Sequence, residues 1–324
     1  MDRPIGGYFE IEKTGKGGNF PQYEGVLLNT GRNALEYVLA SAGNVSCVYL
    51  PYYTCEVLLE PIKKLGVKYR FYSIDCNLEI ADEFPILDNE CIVYTNYFGV
   101  KDAYVQVLAE KIGEKLVVDN AQALFAKAIS GIKTIYSPRK YVGIPDGGVA
   151  CCNDGHDITS FPVDDSSDKM SHLFLRKEKG PQAGYVDFRD NSRKLVMQPI
   201  KRMSLQTKSM VDNIDFDEVK QIRRKNFKIL HDALSGLNKL DLPSMDSFEC
   251  PMVYPFWTTD LTLRQRLIDN QIFVAMYWPN VLEWSNPCEL EYELAFHILP
   301  LPIDQRYGEE EMNGIIELIY ASQK

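Results

Sequence analysis

The sequence predicts an α/β protein built on a mostly parallel central sheet sandwiched by helices. Three observations lead there. Short apolar runs recur at 47–51, 91–95 and 115–118, each bounded by turn residues. Helix-patterned segments at 56–65 and 104–112 lie between them, and strand–helix–strand spacings of this length imply right-handed crossovers. The chain of 324 residues is long enough to bury a large core and suggests one large domain or two unequal ones. We expect a large domain over 1–214, with an irregular N-terminal arm, and a smaller α+β domain over 215–324.

Each element has a local reason. Gly6-Gly7-Tyr8-Phe9-Glu10 and the glycine-rich 15–18 read as the arm. Thr30 is the expected N-cap of a helix running to about 42, whose buried face carries Leu35, Val38 and Leu39. The strand at 47–51 is ended by Pro51, and 67–72 alternates as a further strand. Residues 132–136 are rich in β-formers, and Val149-Ala150-Cys151-Cys152 is apolar and strand-like. From 153 to 214 the chain is polar and gives no clear pattern. A helix follows, with Asp215, Asp217 and Glu218 at its positive end, Val219, Ile222, Phe227, Leu230 and Leu234 on its buried side, and Gly236 as its stop. Strand-like 252–257, helical 261–270, strand-like 272–274, the Leu299-Pro300-Leu301-Pro302-Ile303 run and a closing helix at 312–319 complete the second domain.

Composition narrows the function. A net charge of −10 argues against a general nucleic-acid binder, which needs a basic surface. No run reaches the ~18 apolar residues that span a membrane. The first residues carry no apolar signal core, so the eight cysteines are expected to be reduced and the protein cytoplasmic. Cys151-Cys152 lacks metal-site spacing and no CxxC pair exists, so no metal is expected. His156, His172, His231 and His297 are far apart and read as surface or packing residues.

Two places carry chemistry. Lys140 stands in a turn-rich segment seven residues before Gly147-Gly148, between two strand-like runs. A lysine is usually a solvated surface group, but one desolvated in such a loop becomes a nucleophile. Asp119 follows Leu116-Val117-Val118 directly, at the carboxyl end of a parallel strand, where ligands gather. Buried without a partner it would be expensive. It is either the partner of a cationic group or an N-cap for the residues after it.

Val117-Val118-Asp119-Asn120-Ala121-Gln122-Ala123, then Ser137-Pro138-Arg139-Lys140, then Gly147-Gly148 resembles the pattern of the DegT/DnrJ/EryC1/StrS sugar aminotransferases. The resemblance runs over about 25–150 and returns faintly near 299–319. It implies the fold type I of enzymes dependent on pyridoxal 5'-phosphate (PLP). It implies that Lys140 forms a Schiff base with the cofactor and carries the proton, and that Asp119 pairs with the pyridine nitrogen. Ala121 would pack on the ring, and Gln122 would reach the 3-oxygen or the phosphate region. Gly31, Arg32 and Asn33 would hold the phosphate at the first turn of the helix after Thr30, helped by Ser137. Asn96 would donate to the 3-oxygen.

The chain also departs from the pattern. Arg32 replaces a small hydroxyl residue and serves either phosphate or substrate. Cys55 stands where an aromatic covers the ring, leaving Tyr52 or Tyr53 for that role. Asn96 replaces a histidine, and Ile135 a serine. The family's substrate-reaching segment has only a faint echo at Asn191-Ser192-Arg193.

The resemblance implies a cytoplasmic aminotransferase that moves an amino group from an amino acid donor to a keto acceptor, a keto sugar nucleotide. By analogy it is a homodimer with shared active sites. The alternative is a divergent member that keeps the fold in a binding or regulatory role without transaminase activity.

Overall fold

The computed structural model describes residues 3–15, 17, 19–22, 24–153 and 157–321; His156 lies outside them. The first strand, β1 (Ile5–Gly6), precedes β2 (Val26–Leu28) and helix α1 (Gly31–Ser41). Then come β3 (Cys47–Pro51), α2 (Leu59–Lys64), β4 (Lys68–Tyr72), β5 (Glu90–Thr95), α3 (Asp102–Ile112), β6 (Leu116–Asn120), β7 (Lys133–Tyr136) and β8 (Gly148–Cys151).

Seven of these strands form one sheet in the order β2-β8-β7-β6-β5-β3-β4. The pairs β3–β4, β3–β5, β5–β6 and β6–β7 are parallel. Only β8, beside β7 and β2, runs antiparallel to its neighbours. The mostly parallel α/β sheet is therefore present. Expected element positions agree to within a few residues. Two expectations shift in type: a 3₁₀ turn at 56–58 precedes α2, and the arm read as irregular begins with the strand β1.

The central strands β3, β5 and β6 are largely apolar because both faces of the sheet are covered there. Val48, Leu50, Val93 and Val117 pack with Ala34, Leu35, Val38 and Leu39 of α1 on one face. Their neighbours Tyr49, Ile92, Tyr94, Leu116 and Val118 join the largest cluster on the other. The edge strand β4 shows Lys68, Tyr69 and Arg70 to solvent, which discourages further pairing.

The stretch unreadable in sequence contains three helices, α4 (Ser171–Lys179), α5 (Tyr185–Lys194) and α6 (Leu205–Asp212). Their exposed faces are mostly polar, so no long apolar stripe announces them. Helix α7 (Phe216–Leu234) follows, with Asp215 accepting from the Glu218 N–H as its N-cap. Gly236 does not end it in a left-handed turn; the chain passes through a 3₁₀ turn at Ser235–Leu237. The remaining elements are β9 (Tyr254–Trp257), α8 (Leu263–Asp269), β10 (Ile272–Phe273), α9 (Val281–Trp284), α10 (Leu290–His297), β11 (Ile298–Leu301) and α11 (Glu309–Tyr320). Strands β9 and β11 pair antiparallel, and Phe227, Leu230, Leu234, Ile315 and Ile319 of α7 and α11 enter the largest core cluster.

The N-terminal segment is tied to the far end of the chain. β1 pairs parallel with β10, Ile5 opposite Ile272 and Gly6 opposite Phe273. A Cβ on Gly6 would lie 2.3 Å from the Phe273 carbonyl oxygen, and its φ is +79°, so glycine is required there.

Candidate active site

A cavity of about 940 Å³ opens at the carboxyl ends of the parallel strands. Thr95 ends β5, Asp119 lies near the end of β6, and Ser137 and Lys140 follow β7; all four line it. The first turn of α1 closes the same wall with Thr30, Gly31 and Arg32. Thr30 sits in extended backbone and takes the Asn33 N–H on Oγ1 at 3.0 Å, which fixes where the helix begins. Gly148 lets β8 come up to this turn: a Cβ there would meet the Thr30 oxygen at 2.2 Å.

Asp119 is buried. Its Oδ1 accepts from the Ala121 N–H at 2.9 Å. Burial pushes its carboxyl above the usual 3.8, and the Lys140 charge and the Ala121 N–H only partly offset this. Lys140 is half-buried, on the 3₁₀ turn Pro138–Lys140, and its charge also lowers the thiol of Cys55 against the larger upward effect of burial. Gln122 accepts from the Phe98 N–H at 2.8 Å through Oε1, whereas its buried Nε2 finds no acceptor among the described residues.

Arg139 also faces the cavity, and no hydrogen-bond or ion-pair partner among the described residues reaches it. Burial, with the charge of Arg32, brings its guanidinium down to about 10, against the pull of Asp146. Arg32 approaches Glu60 at 3.2 Å and donates to the Leu195 carbonyl at 3.3 Å. Behind this wall Asp146 is fully buried. It takes hydroxyl hydrogen bonds from Ser166 (2.5 Å) and Thr207 and pairs with Lys169 at 3.2 Å.

Of the expected site residues, Gly31, Arg32, Asp119, Ala121, Gln122, Ser137 and Lys140 meet at this one cavity. Two do not. Asn33 spends its Nδ2 on Glu36 (2.9 Å) and the Gln198 carbonyl (2.8 Å), and its backbone N–H on the cap. Asn96 donates to Asp102 (2.6 Å) and Asn120 (3.0 Å), accepts from the Lys101 N–H, and borders a separate cavity of about 490 Å³. Neither Tyr52 nor Tyr53 lines the site: Tyr52 stacks on Phe71, and Tyr53 packs between Tyr97 and Trp278. The aromatic rings at the cavity belong to Tyr8, Phe9, Tyr185, Phe188, Tyr277 and Trp278.

Sequence reasoning also missed His172 and Arg176 on α4, both buried and both on the cavity wall. No local signal marks them. They reach the site because the N-terminal segment, α4, α5 and the chain after β10 converge there.

No family model matches the sequence, and no curated protein matches it. Solved structures do match the fold. AtS13 from Actinomadura melliaura matches with a TM-score of 0.66 at 14% identity, over 99% of this chain and all of that one (100%). The sugar aminotransferase CalS13 from Micromonospora echinospora matches with a TM-score of 0.62 at 17% identity, over 91% and 86% of the two chains. A DegT DnrJ EryC1 StrS aminotransferase from Brucella abortus matches with a TM-score of 0.59 at 16% identity, over 91% and 85%. This chain therefore has the fold of the DegT/DnrJ/EryC1/StrS aminotransferases.

Proposed function

We propose that the protein is a PLP-dependent aminotransferase, with an amino acid as donor and a keto sugar nucleotide as acceptor. The carrying observation is that Lys140 and Asp119, one amine and one buried carboxylate, face a single cavity at the strand ends, beside the unpaired Nε2 of Gln122.

The residues suit the cofactor. Asp119 would hold a cationic ring nitrogen, which would relieve the burial that now raises its carboxyl. Gln122 Nε2 has a donor to spare for a ring or phosphate oxygen. Gly31, Arg32 and Ser137, together with Arg139, offer donors and charge to a phosphate. When bound, PLP supplies an electron-accepting ring. Lys140 would hold the cofactor covalently and, once released, take up and return a proton at Nζ. The aromatic rings from the N-terminal segment, α5 and the chain after β10 line the same cavity and would limit water around a bound cofactor. The same proposal gives residues 1–214 to cofactor binding and 215–324 to closing the cavity, in a homodimer.

Purified protein mixed with PLP should gain an absorbance band that reduction fixes covalently, and lose that fixation in Lys140→Ala. Adding an amino donor should convert the band to that of the aminated cofactor, at a rate at least ~10³-fold lower in Lys140→Ala. Loaded wild-type protein that converts with no donor would leave only the fold, in a binding or regulatory role.

A further inference from the structure

We propose that Arg176, with His172, is the docking point for the carboxylate of the amino donor. This rests on the aminotransferase function above.

The two residues lie one turn apart on α4 and so share a face. They are only 5% and 3% exposed, yet Nη1 of Arg176 and Nδ1 of His172 have no hydrogen-bond partner among the described residues. Both residues line the cavity.

The Arg176 guanidinium is held in place rather than loose. Its Nη2 donates to the Gly6 carbonyl at 2.7 Å, and its carbon lies 4.8 Å from the centre of the Tyr8 ring. Tyr8 is pinned in turn by its hydroxyl, which donates to the Pro181 carbonyl at 2.7 Å. The His172 ring lies 6.1 Å from the Tyr8 ring and 5.8 Å from that of Phe188. Gly7 leaves room beside Nη1, since a Cβ there would sit 3.2 Å from it.

A buried guanidinium ordinarily meets a carboxylate, because burying an unpaired charge is costly. Arg176 meets none. Asp304, also at the cavity, is engaged by the neighbouring Arg306 at 2.7 and 3.0 Å. The unpaired Nη1 of Arg176, with the His172 ring on the same helix face, suits one carboxylate. A phosphate, with three acceptor oxygens and close to two charges, finds too few donors here. Tyr8 and Phe188 supply apolar cover for the carbon chain behind the carboxylate.

The test is the donor half-reaction of the loaded enzyme, read at varied donor concentration. In Arg176→Gln the donor concentration for half-maximal rate should rise ~10–100-fold, the loss of one charged hydrogen-bonding partner. The limiting rate and the cofactor absorbance should stay close to wild type. Arg176→Lys should recover part of the affinity, and His172→Phe should show a smaller rise. Calorimetry on cofactor-free protein gives a second readout: succinate, a carboxylate without an amine, should bind wild type and bind Arg176→Gln at least ~10-fold more weakly.

A folded Arg176→Gln with unchanged donor dependence overturns the proposal, as does wild-type protein that takes up no succinate. Where Arg176→Gln does not fold, Arg176→Lys and His172→Phe carry the same comparison. Wild-type protein that converts with no donor removes the function itself; a converting wild type with a donor-insensitive variant removes only this inference.

Discussion

The two walls of the cavity are made in different ways. The sheet-end wall, with Thr30, Asp119, Gln122, Ser137 and Lys140, comes from positions at or within a few residues of a strand end, or at the start of a helix. The other wall brings Tyr8, His172, Arg176, Phe188 and Tyr277 together from four separate stretches of chain. Position in the first follows from the architecture of a parallel sheet, which delivers whatever side chain ends a strand to one edge. Position in the second follows from long-range packing. The chemistry common to a fold sits on the first kind of wall, and selection among substrates has more freedom on the second.

Substitutions can break or sharpen this contrast. The largest effect after loss of Lys140 belongs to Asp119→Asn. Removing a preorganised charge should slow the half-reaction ~10²–10³-fold while the cofactor still loads. The same change should stabilise the cofactor-free protein. The carboxyl of Asp119 is raised when folded, so its contribution is full below about 3.8 and is lost as pH rises through the folded value. The melting temperature of Asp119→Asn should thus exceed that of wild type increasingly above pH 4. A constant difference across pH would show that Asp119 is not strained by burial.

Asp146 tests the support behind the first wall. Asp146→Asn should lower stability by about 3 kcal/mol, measured by denaturant unfolding, since Lys169 loses one partner in a buried cluster. A loss below about 1 kcal/mol would show that Asp164 alone suffices for Lys169.

On the second wall the pH sign reverses. Burial and the Arg139 charge bring His172 down to about 4, so its stability contribution is present above the ordinary 6.5 and is lost as pH falls toward 4. His172→Phe should remove about 2 kcal/mol of acid sensitivity between pH 6.5 and 4. Unfolding curves at those two values decide it. The smallest effect is Thr30→Ala: about 1 kcal/mol for the lost cap of α1, by the same measurement.

The same contrast explains what could be read from the sequence. Strands β3, β5 and β6 were legible because both their faces are buried and the runs are uniformly apolar. Asp119 could be named as a candidate because it follows such a run directly, and Lys140 because it lies seven residues before Gly147-Gly148. Asn33 and Asn96 occupy the right positions along the chain, but Glu36 and Gln198, and Asp102 and Asn120, turn their amides elsewhere. Offset along a chain does not report which neighbour an amide prefers. Arg176 sits in a charge run, Arg176-Lys177-Glu178-Lys179, that reads as a solvated face; only burial against Tyr8 separates it from its neighbours.

The pairing of Ile5 and Gly6 with Ile272 and Phe273 has a consequence for synthesis. On the ribosome the strands of the main sheet are all available once residue 151 has emerged, so that edge can form early. The N-terminal residues must wait for a partner more than 260 positions downstream, so the Tyr8 side of the pocket is assembled among the last events of folding.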